Sequence, residues 1–133
     1  ISAFLNPSEN SFERLGEKKA PKYITWAYGN RSQLIRIPAA DGEYARIELR
    51  SPDPQANPYL AYALILYAGL EGVEDCLEPD KPVNENLFNA PSSLTKELDT
   101  LPESFNEAIE LSSRSEFVKT RIPQSILDIY SSK

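Results

Sequence analysis

Residues 44–57 read YARIELRSPDPQAN, and the fold turns on how the first seven of them are taken. Tyr44, Arg46, Glu48 and Arg50 alternate with Ala45, Ile47 and Leu49. A period of two is that of a strand, whose successive side chains point to opposite faces. The spacing predicts a strand over 44–50 with Ala45, Ile47 and Leu49 toward the core. The other face sets the Glu48 carboxylate between two guanidiniums, those of Arg46 and Arg50, with neighbours about 7 Å apart along the strand. Arg and Glu are poor strand formers beside Val, Ile or Thr. Ser51, Pro52, Asp53 and Pro54 then make a rigid turn. A charged strand face beside such a turn is one way to build an anion site.

Two further strands precede this one. Residues 22–28, KYITWAY, and 32–38, SQLIRIP, are rich in β-branched and aromatic side chains. Gly29 and Asn30 tolerate positive φ between them, and Asp41 and Gly42 centre a hairpin loop. Three strands with short connections predict an antiparallel meander. Arg31 and Arg36 are five apart and cannot share a face of one regular strand. If both face a ligand, Arg31 sits in the turn before the strand. Upstream, residues 1–5 are a short apolar element, 6–11 a turn, and 12–19, FERLGEKK, an exposed loop.

Downstream, Asn57 caps a helix with Pro58 in its first turn. Residues 59–70, YLAYALILYAGL, are apolar nearly all round, the pattern of a buried helix. Twelve residues are too few to cross a bilayer. A helix buried on every side is hard to cover in a chain this size. That, and the Ile rather than Met at position 1, lead us to expect an excised piece of a larger protein. An acidic irregular stretch, 71–91, follows. Thr100 and Glu103 form a capping box for a helix burying Leu101, Phe105, Ala108 and Ile109. Helices over 115–121 and 124–130 close the chain, the last presenting Ile126, Ile129 and Tyr130. The expected fold is α+β: an antiparallel β-meander packed on a buried helix, with a helical C-terminal tail.

The charge is uneven. Residues 1–56 hold eight Lys/Arg and seven Asp/Glu; residues 57–133 hold six and thirteen. Five of seven arginines (Arg14, Arg31, Arg36, Arg46, Arg50) lie in the first half. Arginine forks bind carboxylate and phosphate in a way lysine cannot reproduce. The net charge of −6 argues against nucleic acid as the main partner. With no histidine, the usual general base and transition-metal ligand are missing. One cysteine cannot form an internal disulfide, so a cytoplasmic setting is expected, and no stretch is long enough for a membrane span.

Four stretches resemble, in order and spacing, the C-terminal part of the catalytic domain of class I (bacterial-type) glutamine synthetases. They are Asn6 and Pro7 with NSFERL at 10–15; Ala20 and Pro21 leading to NRS at 30–32 and IRIP at 35–38; RIELRSPDP at 46–54; and NPYL at 57–60 with AGL at 68–70. The likeness covers about the first 73 residues and is looser from Glu74. It implies an active-site part over 1–73 and a helical extension of the same domain over 74–133. It also implies an ATP-dependent ligase joining ammonia to the γ-carboxylate of glutamate through γ-glutamyl phosphate. Such an enzyme uses Mg or Mn and forms a ring-shaped homo-oligomer in the cytoplasm.

Carried over by position, Arg14 and Arg50 would hold glutamate, while Arg31, Arg36 and Arg46 would hold ATP phosphates. Arg31 would also stabilise the transition state, and Glu48 would be a metal ligand. Phosphoryl transfer needs concentrated positive charge. The remaining metal ligands, a histidine among them, would lie in a missing N-terminal part, so the fragment alone is expected to be inactive. The family has a flap glutamate just before the Ala-Pro pair; here that position is Lys19, with Glu17 nearby as a catalytic substitute. Where some relatives are adenylylated on tyrosine, Asn86 and Leu87 precede Phe88 instead. The Lys19 departure leaves open a γ-glutamyl ligase using another amine. A non-catalytic anion-binding module of the same fold is the second alternative.

Overall fold

The structure is a computed structural model that describes residues 1–17 and 19–132. In chain order it contains α1 (Ser2–Leu5), α2 (Glu9–Glu13), β1 (Trp26–Tyr28), β2 (Ile35–Ile37), β3 (Glu48–Leu49), α3 (Pro58–Glu74), α4 (Ser92–Thr95), α5 (Phe105–Arg114), α6 (Glu116–Arg121) and α7 (Gln124–Ser131). The chain forms two compact units. One combines residues 1–13, 52–79 and 102–133 and is helical; the other combines 14–51 and 80–101 and carries the sheet. The α+β class and the helical C-terminal tail are as expected.

The sheet is a correction to the meander. Its order is β1-β2-β3, but β1 and β2 run parallel, Trp26 beside Ile35 and Tyr28 beside Ile37. Only β2 and β3 are antiparallel. A parallel return normally needs a dozen residues or more. Here each strand spans only about 10 Å, and the six residues between Tyr28 and Ile35 can reach about 20 Å.

β3 is also shorter than the alternation over 44–50 predicts. Residues 42–44 form a single 3₁₀ turn entered at Gly42 with φ +61°. Ile47, expected in the core, is 64% exposed. The ladder with β2 ends at Arg36 opposite Glu48. The next position of β2 that faces β3 is Pro38, which has no N–H to offer. On this unit's other side, Ile24 N–H donates to the Asp99 carbonyl and Leu101 N–H to that of Lys22, both at 2.8 Å.

In the helical unit, Asn57 caps α3 as expected: its Oδ1 accepts Tyr59 N–H at 3.0 Å and Leu60 N–H at 3.4 Å. The helix itself is not buried. Ala61 and Leu64 face inward, while Tyr59 is 84% and Leu66 65% exposed. An all-round apolar run does not say which face has neighbours in the same chain, and α3 packs on α1 through one face only.

The expected cap at Thr100 moves four residues. Thr100 bridges Tyr23 instead, and Ser104 caps α5 by accepting Glu107 N–H at 3.2 Å. Glu107 reaches back to Glu103 N–H at 2.8 Å. Phe12, placed in a loop from the sequence, is buried in α2 with its ring 6.4 Å from that of Phe105. Lys18 of that expected loop lies outside the described residues. In α7 the inward residues are Leu127 and Tyr130, not Ile129. The Tyr130 ring lies 4.7 Å from that of Phe4, and burial raises its phenol pKa.

Candidate anion site on the sheet

Every residue singled out for chemistry lies within 14–50, in the sheet-bearing unit. The β2–β3 register sets Arg36 directly opposite Glu48. Arg36 Nη1 donates to Glu48 Oε2 at 2.7 Å, and Arg46 Nη2 donates to Oε1 at 3.1 Å. Both oxygens of the carboxylate are therefore engaged. The hydrogen bond from Arg36 is the main reason its pKa lies below the ordinary glutamate value, with Arg46 adding to the effect. Arg36 also donates through Nε to the Gly29 carbonyl at 3.2 Å and is the more enclosed arginine, 17% exposed against 52% for Arg46.

The alternation read along one strand put Glu48 between Arg46 and Arg50. The structure puts it between Arg46 and Arg36, a neighbour across the ladder. Arg50 turns to the main chain: its guanidinium donates to the carbonyls of Arg31 and, at 2.9 Å, of Lys19. Partial burial lowers its pKa, and the charges of Arg36 and Arg31 push the same way against Glu48. Arg31 lies in the turn before β2, exposed. Among the described residues neither Arg31 nor Arg50 has a carboxylate at ion-pair distance. Arg14 donates to the Ser51 carbonyl, next to Arg50 in the chain. Glu17 sits in a turn, its amide on the Arg14 carbonyl and its own carbonyl accepting Ala20 N–H. Its carboxylate is exposed and makes no ion pair among the described residues, so the structure does not bring it to the arginines.

Such a group can hold and polarise an anion, because guanidiniums held by the backbone need no reorganisation when negative charge arrives. A divalent cation is a different matter. Among the described residues no group of three Asp, Glu, Cys or His side chains is arranged to hold a metal. Glu48 is clamped by two guanidiniums, so these residues do not by themselves fit the ion.

Sequence reasoning missed the polar run around Arg31. Asn30, Ser32 and Gln33 tie that turn to residues 84–87 through several hydrogen bonds. Their order, three amide or hydroxyl side chains flanking an arginine, was the available signal.

Known proteins resemble this chain over nearly its whole length. The family described as "Glutamine synthetase, catalytic domain" matches residues 1–133. A glutamine synthetase of Methanosarcina mazei is 45% identical over 133 residues, which is 98% of this chain and 30% of that protein. One from Thermotoga maritima is 50% identical over 113 residues, 83% of this chain and 26% of that one. A solved structure described as "GmaS/ADP complex-Conformation 1" superposes with a TM-score of 0.80 at 29% identity, over 98% of this chain and 30% of its own. The chain thus spans about 30% of the length of the curated relatives it matches.

Proposed function

This chain belongs to the glutamine synthetase catalytic-domain family, and we propose that it supplies the cationic side of the site at which such an enzyme phosphorylates glutamate and joins it to ammonia. The observation that carries the reading is the set of arginines in the sheet-bearing unit: Arg36 and Arg46 pair with Glu48, while Arg31 and Arg50 lack a carboxylate partner among the described residues. In this reading Arg14 and Arg50 hold glutamate and its γ-phosphate, and Arg31, Arg36 and Arg46 hold the phosphates of ATP. Arg31 stabilises charge that develops during transfer. The ADP in the description of the related structure supports the nucleotide assignment.

The activity belongs to a family-length protein, about 70% of which lies outside this chain. The exposed apolar face of α3 supports that division, being a surface for further protein to cover. Residues 1–73 carry the site and 74–133 extend the domain. Glu48 would serve Mg or Mn only with further oxygen ligands from outside the described residues, and only if Arg36 or Arg46 let go. A homo-oligomer in the cytoplasm belongs to the same reading; among the described residues no helix is long and apolar enough to cross a membrane.

Lys19, standing where the family carries its flap glutamate, favours a second reading, a γ-glutamyl ligase for another amine. Grafting the 133 residues in place of the matching segment of the Methanosarcina mazei protein tests both. Glutamine formation with ammonia as the best substrate is expected. Preference for an alkylamine would move the reading to the rival, and a folded graft without either activity would overturn both.

A further inference from the structure

Three side chains flanking Arg31 make a closed set of hydrogen bonds with the distant stretch 84–87. Asn30 Nδ2 donates to the carbonyls of Asn84 at 3.0 Å and Glu85 at 2.9 Å. Asn30 Oδ1 accepts the Ser32 amide at 3.0 Å and the Ser32 hydroxyl at 2.9 Å. Ser32 Oγ in turn accepts Leu87 N–H at 2.9 Å and Gln33 Nε2 at 3.2 Å. Gln33 Nε2 also donates to the Glu85 carbonyl at 3.1 Å, and its Oε1 accepts the Thr25 hydroxyl. Gln33 is fully buried, and Ser32 nearly so.

A buried polar set holds its geometry when every member is satisfied and fails sharply when one is removed. This one is satisfied, with no buried side-chain nitrogen or oxygen left unbonded among the described residues. What it fixes is the main chain at Arg31, and the Arg31 carbonyl is one of the two acceptors that hold the Arg50 guanidinium. We propose that Asn30, Ser32 and Gln33 are positioning residues, which through residues 84–87 set the Arg31 carbonyl and so aim Arg50. The chain of contacts runs from Leu87 and Glu85 to Ser32, to the Arg31 peptide, to Arg50.

The proposal rests on the reading of Arg50 as an anion-holding group, but its test does not. Arg50 is held through Nη1 and Nη2, so nitrogen-15 spectra of the arginine Nη–H groups in the 133-residue protein report how firmly it is held. Ser32→Ala should speed exchange of the Arg50 Nη–H groups with water at least tenfold, and Ser32→Thr, which keeps the hydroxyl, should restore it. Leu127→Ala, in the helical unit, should lower the melting temperature and leave Arg50 unchanged. If Ser32→Ala does not fold, Asn30→Ala at a half-exposed position gives the same readout. Unchanged Arg50 exchange in a folded Ser32→Ala or Asn30→Ala variant would overturn the proposal and leave the set as packing alone. Failure of the graft to make glutamine, with Arg50 exchange responding as described, would instead remove the functional reading and keep the positioning role.

Discussion

Arg50→Ala in the Methanosarcina graft is the most informative single change. Arg50 is spent on two carbonyls, those of Arg31 and Lys19, and on no carboxylate among the described residues. Truncation leaves both carbonyls without a charged donor. Because the group is only half-buried and water can replace it, we expect a stability loss of about 1 kcal/mol. The catalytic loss should be larger. Removing one preorganised charged donor from an electrostatic site costs about 2–4 kcal/mol of transition-state stabilisation, on the order of 30- to 1,000-fold in kcat/KM. Steady-state kinetics with each substrate varied in turn would show the loss mainly with glutamate and little change in nucleotide affinity. Arg50→Lys keeps the charge and loses the fork, so it should fall between wild type and alanine. Equal losses toward glutamate and ATP would refute the assignment of Arg50 to glutamate. A loss no larger than the fall in stability would refute any direct role.

Glu48 gives a pH prediction. Its pKa is lowered in the folded protein, so its pairing stabilises above the ordinary glutamate value and is lost as pH falls through the lowered one; an NMR titration in which Arg36→Gln leaves the Glu48 pKa unmoved would contradict the pairing. Asn57→Ala removes the α3 cap and should cost about 1 kcal/mol in denaturant unfolding. Leu64→Ala, at a fully buried position of the same helix, should cost about 2–5 kcal/mol, whereas Leu66→Ala, exposed two residues on, should cost little in this chain.

Some local signals were read well and the long-range ones were not, while the capping box placed at Thr100 was misplaced by four residues. Asn57 with Pro58 acts within a turn of itself and α3 begins there, and the helices expected over 115–121 and 124–130 begin within a residue of those positions. Arg36 and Glu48 are twelve residues apart, and nothing local says that a ladder sets them opposite each other. Alternation over 44–50 suggested a long strand, but strand length depends on partners, and Pro38, with no N–H, offers none beyond Glu48. The apolar run of α3 marked a helix and could not reveal that its outer face lacks neighbours in this chain. The arginines were read as a set because four motifs in register resemble one family, and the family itself is the one that matches the chain. Their actual partners, main-chain carbonyls for Arg14 and Arg50, carry no signature in side-chain type.

The central claim is that these arginines form the cationic half of a glutamate-phosphorylating site. The direct measurement is a single-turnover reaction of the graft with ATP and glutamate in the absence of ammonia, with hydroxylamine added to trap any γ-glutamyl phosphate as the hydroxamate. The account predicts hydroxamate that requires ATP, approaches one per site, and is lost in Arg50→Ala. ATP cleavage that ignores glutamate, or a folded graft that yields no hydroxamate, would contradict it.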